Sequence, residues 1–187
     1  MEPSELHRRT VEEWVRRVAA VEEDQWEHET PCADWDVRAL VNHVVGEEMW
    51  TRPLVEGSTV EEVGDRFDGD LLGGDPVDVA SRAGADAAAA MDEKAPAGVL
   101  VKLSFGETPV DEYAMQLTAD HLVHGWDLAA ATGQDRTLDA EVVAAVAAWF
   151  REREDLYRQA GAIGPRADGG GDAQADLIAA FGRDPSW

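Results

Sequence analysis

A single cysteine, Cys32, stands in 187 residues, which excludes an intrachain disulfide and any cysteine-rich zinc module. Lysine is almost as scarce, with only Lys94 and Lys102. Basic residues total 16 against 39 acidic ones, a formal charge of -23. Such a field repels phosphate backbones and anionic lipid surfaces, so neither nucleic acid nor a membrane is expected as a partner. No run approaches the roughly 18 apolar residues of a membrane span, and the opening MEPSELHRRTVEEW lacks the apolar core of a secretion signal. A reducing cytoplasm is the expected compartment. Also missing are a Gly-rich phosphate loop, a Gly-x-Ser-x-Gly elbow and a dinucleotide fingerprint, which leaves nucleotide chemistry without support.

What is present describes a globular chain. Hydrophobic residues make up 44% and charged residues 29%, enough to bury a core. The length fits one domain over 1–187, with residues from about 161 onward, rich in glycine, as a flexible C-terminal extension. Leu6, Thr10, Val11, Trp14, Val15, Val18 and Val21 recur at helical spacing behind a Ser4 cap. Asp36 caps a second helix through Val37, Leu40, Val44 and Met49 that should stop before Pro53. Residues 57–76 read as loop with one short helical turn, long enough to cross a bundle. Asp75-Pro76 opens an Ala-rich helix to about Lys94, and Thr108-Pro109 opens another to Thr132 that Gly133 ends. Residues 99–105 alternate like a short strand with no evident partner. Leu138 to Arg158 reads as one helix and Asp176 to Phe181 as a short terminal one. The pattern predicts an all-α four-helix bundle with a long crossover connection and a short C-terminal helix.

Of five histidines, His43, His121 and His124 fall inside the two most apolar helices. At 100° per residue, His124 lies about 40° from Asp120 and about 60° from His121, so one stripe presents all three to the interior, with Asp120 bordering a polar sector of Gln116 and Asp127. On the other helix His43, Glu47 and Trp50 form a stripe. An imidazole from one helix and an imidazole with a carboxylate from another can hold a divalent ion: neutral nitrogen gives a lone pair, carboxylate offsets charge, and a fourth position stays open. By spacing alone the histidines read more readily as hydrogen-bonded core residues than as ligands. Glu47 can orient His43, accept a proton or face water. His7 and His28 sit in polar stretches and read as solvated, and Trp35, Trp50 and Trp126 as packing anchors, with Trp50 and Trp126 also able to line a pocket. Arg38 reads either as a binder of a carboxylate substrate or as the partner of Asp34 or Asp36, and Cys32 as a small buried apolar residue in preference to a reactive thiol at a helix start.

The segment Thr30-Pro31-Cys32-Ala33-Asp34-Trp35-Asp36-Val37-Arg38-Ala39-Leu40-Val41-Asn42-His43 resembles the first signature of a bacterial metal-binding family. Asp120-His121-Leu122-Val123-His124-Gly125-Trp126-Asp127-Leu128-Ala129 resembles its second, and the ending Phe181-Gly182-Arg183-Asp184-Pro185 follows in order. The family comprises DinB-like proteins related to the metal-binding domain of mycothiol-dependent maleylpyruvate isomerase. The resemblance implies a DinB-like bundle around a divalent metal, zinc first and nickel second, held by His43, Asp120 and His124. The isomerase has glutamate where Asp120 stands, which leaves His121 as an alternative third ligand. It also has a catalytic C-terminal domain for which the length has no room, so the isomerase reaction itself is not expected.

Two functions follow. One is a thiol-dependent, mycothiol-type transferase or isomerase-like metalloenzyme acting on a small molecule, with Glu47 or His121 handling protons. The other is a non-catalytic binding or stress-accessory module with a structural metal or none. Either can be a monomer or a homodimer.

Overall fold

The computed structural model describes residues 1–187 and is built from helices, with a single small hairpin. The elements are α1 (Pro3–Ala19), α2 (Val37–Val55), α3 (Val60–Val63), α4 (Pro76–Lys94), β1 (Leu100–Leu103), β2 (Gly106–Pro109), α5 (Val110–Thr132), α6 (Ala140–Arg151), α7 (Glu154–Gln159) and α8 (Ala173–Ala180). The long helices α1, α2, α4 and α5 form the four-helix bundle that the sequence pattern predicts: α1 packs on α5 and α4, and α2 packs on α4 and α5. The chain therefore crosses between diagonal helices twice, from α1 to α2 and, through the hairpin, from α4 to α5. The 57–75 connection joins neighbours. None of the helices is long and apolar enough to cross a membrane.

Local chemistry sets the boundaries. Asp36 caps α2 by accepting from Ala39 N–H, and Asp75 caps α4 by accepting from Asp78 N–H ahead of Pro76. Gly133, at φ +70°, closes α5 in the left-handed conformation that only glycine adopts freely. The small side chains Ala80, Ala83, Gly84, Ala87 and Ala90 are the buried face of α4 and let it approach its neighbours closely. A Cβ on Gly84 would stand 2.9 Å from Val11 and 3.0 Å from Glu48 Oε1.

Several expectations are corrected. Helix α2 continues through Pro53 to Val55, because a proline in the last turn forfeits only one backbone bond. Helix α1 starts at Pro3 behind Glu2, without a Ser4 cap. The strand at 100–103 finds its partner in 106–109, pairing Val101 with Thr108, so Thr108 is a strand residue and not a helix cap. The expected helix over 138–158 breaks at Glu152-Arg153. There the Arg153 side chain donates to Trp149 O at 2.7 Å, occupying the acceptor its own N–H would use, while that N–H bonds Phe150 O. Arg38 pairs with Asp70 at 3.0 Å and not with Asp34 or Asp36. The short C-terminal helix is found as expected: it is α8, whose Leu177 and Ile178 are buried in one core with Trp126, Val146 and Phe150, and Phe181 stacks on Phe150 at 4.0 Å.

Candidate metal centre

His43 on α2 and Asp120 and His124 on α5 converge where those helices pack. Their candidate ligand atoms all lie within 4.8 Å of one another. Asp120 Oδ1 stands 3.6 Å from His43 Nε2 and 3.4 Å from His124 Nε2. Two ligand atoms each about 2.1 Å from a tetrahedral ion stand about 3.4 Å apart, so these spacings suit a shared cation. The other oxygen, Asp120 Oδ2, is sealed from solvent with no hydrogen-bond partner, a costly arrangement for a carboxylate that a cation would relieve. Two imidazoles and one carboxylate form a donor set that could bind a divalent metal and leave a position for substrate.

The electrostatics are strongly coupled. Burial opposes the charge on Asp120, yet the two imidazoles hold its carboxyl well below the usual range. Burial likewise opposes charging His124, but Asp120 and Asp127 outweigh it and push its pKa up to about 9. A cation here therefore competes with a proton on His124 at neutral pH. His124 Nδ1 donates to Asp127 Oδ2 at 3.0 Å, which leaves Nε2 as the nitrogen facing the other two groups.

Asp127 was expected in a polar sector. It is fully buried, held by His124 and by Arg183, whose Nη2 lies 2.9 Å from Oδ2. Glu47, one turn after His43, is half-buried at the same seam, and its carboxyl is pushed up by burial and by Asp120. His121 faces away from the cluster. Its Nδ1 donates to Leu117 O at 2.7 Å and its Nε2 meets Glu48 Oε1 at 3.1 Å, so both nitrogens are committed and Asp120 is the third member beside the two histidines.

Behind His121 lies a feature the sequence concealed. His7, read as solvated, is fully buried edge-on to His121 with ring centroids 5.5 Å apart, and neither of its nitrogens has a partner. Burial, with His121 adding to it, pulls its pKa down to about 3. The buried Leu6, Thr10, Val11 and Trp14 flank it on α1, and that helical stripe was the available signal.

The loop before α2 supplies a wall. Thr30 Oγ1 donates to Trp35 O at 2.8 Å and accepts from Cys32 N–H at 3.1 Å, fixing Trp35 against His43 and His124 with centroids at 4.6 and 5.6 Å. Trp35 also lines a surface cleft of about 400 Å³ with Thr30, Asp34, Asp36 and Trp187. A cleft of about 430 Å³ between α1 and α6 contains none of these site residues. Trp50 packs on Phe67, and Trp126 is a core residue, so Trp35 is the tryptophan at the centre. Cys32 is half-buried, and burial pushes its thiol up.

Residues 7–129 match the family described as mycothiol maleylpyruvate isomerase N-terminal domain. The chain is similar to two uncharacterised proteins of Mycobacterium tuberculosis, one from strain CDC 1551 / Oshkosh and one from strain H37Rv. Each is 33% identical over 182 residues, covering 94% of this chain and 87% of the relative. No solved structure matches.

Proposed function

The chain belongs to the mycothiol maleylpyruvate isomerase N-terminal domain family, and from that premise we propose that it is a divalent-metal protein using a low-molecular-weight thiol of the mycothiol type in transferase or isomerase-like chemistry on a small molecule. The observation that carries this reading is the meeting of His43, Asp120 and His124, with a sealed, unpartnered carboxylate oxygen among them. Zinc suits this nitrogen and oxygen set best and nickel next. A bound ion supplies Lewis acidity, polarising a substrate oxygen and favouring the thiolate form of a neighbouring thiol.

The remaining work falls to the chain. Asp127 orients His124, and Trp35 packs on both imidazoles and screens them from water. Glu47, with its carboxyl raised by burial, takes or returns a proton at the α2–α5 seam. His121, tied to Leu117 and Glu48, supports α5 from behind. The cleft beside Trp35 gives a small molecule its approach, and the protein works in the cytoplasm as a single domain, alone or as a homodimer.

A non-catalytic module is the second reading, favoured by the Asp120 contacts to both histidines, which also describe a charge cluster complete in itself. Adding mycothiol to Co²⁺-loaded protein separates the two. A new sulfur-to-cobalt charge-transfer band is expected, and an unchanged spectrum contradicts the thiol role.

A further inference from the structure

The C-terminal segment reaches the centre through one side chain. Helix α8 closes at Phe181, and Gly182 turns the chain at φ +83°, where an added Cβ would stand 3.2 Å from Pro165 O and 3.3 Å from Gly164 backbone. Arg183 N–H then bonds Ile178 O at 3.1 Å. This turn delivers the guanidinium to Asp127. Nη2 donates to Oδ2 at 2.9 Å, Nε lies 3.3 Å from each oxygen, and Nη1 donates to Phe181 O at 3.0 Å.

Asp127 Oδ2 is the same oxygen that accepts from His124 Nδ1. A carboxylate with no exposed surface is costly unless its charge is matched, and Arg183 supplies the matching charge. The planar fork also fixes the plane of the carboxyl group, and hence the direction in which Oδ2 pulls the His124 ring.

We propose that Arg183 is a positioning residue of the metal centre: acting through Asp127, it sets which nitrogen of His124 faces His43 and Asp120. The centre is thus finished by a residue outside the matched stretch 7–129. The inference rests on the reading of His43, Asp120 and His124 as ligands, and it gives the C-terminal segment a share in metal affinity.

The test is a Co²⁺ titration of tag-free protein followed by visible absorption, with circular dichroism as the folding control. Arg183→Gln should weaken Co²⁺ binding ~10–100-fold and alter the visible band, as loss of an outer hydrogen-bond partner does elsewhere. Arg183→Lys, which keeps the charge without the fork, should recover part of the loss, and it carries the test if Arg183→Gln does not fold. On an Asp127→Asn background, Arg183→Gln should cost nothing more. Unchanged affinity and band in Arg183→Gln, or losses that add in the double variant, overturn the inference while the ligand reading stands. If wild-type protein takes up no Co²⁺, the ligand reading falls and takes the inference with it.

Discussion

At the scale of single residues, His7 gives the sharpest stability prediction. It is fully buried and neutral, with a folded pKa of about 3 against about 6.5 when unfolded. Below pH 6.5 the unfolded chain binds a proton that the folded one refuses, so this residue removes stability as pH falls toward 3, by about 1.4 kcal/mol per pH unit, and costs nothing further above pH 6.5. His7→Leu also removes two unpaired nitrogens. Chemical denaturation from pH 7 to 4 should show the His7→Leu advantage growing as the pH drops; an advantage independent of pH contradicts this account. The stripe Leu6, Thr10, Val11 and Trp14 puts His7 on the interior face at i, i+3, i+4 and i+7, a signal masked by Arg8 and Arg9, which follow it directly and make the stretch read as polar. By contrast, Asp120 and His124 share a face at i, i+4, so their alignment was legible before any folding was known. Asp127 and Arg183, 56 positions apart, had no local signal joining them.

At the scale of elements, the close approach of α4 is set by Gly84. An added methyl would gain about 1 kcal/mol of helix propensity but press on Val11 and on the Glu48 oxygen that His121 contacts. Overpacking typically costs about 1–3 kcal/mol, so crowding wins. Gly84→Ala should lower the melting temperature by about 2–4 °C per net kcal/mol lost, and a raised melting temperature would contradict the tight contact. Helices α2, α4 and α5 were readable from caps and periodicity, since Asp36, Asp75-Pro76 and Gly133 act locally. The hairpin partner and the break after α6 were not. Thr108-Pro109 mimics a helix start until Val101 pairs with it, and the break coincides with Arg153, whose guanidinium meets Glu112, far away in sequence, at 2.7 Å.

At the scale of the whole molecule, the bundle brings one side chain from α2 and two from α5 to a point, in a chain whose formal net charge is -23. Any function assigned to this family member depends on what those three groups hold. Elemental analysis of tag-free protein from metal-replete cells tests this most directly. About one equivalent of zinc or nickel per chain is expected, falling to background in His124→Ala with its helical spectrum intact. Only trace metal in the wild type, or a full equivalent retained by His124→Ala, would contradict the assignment.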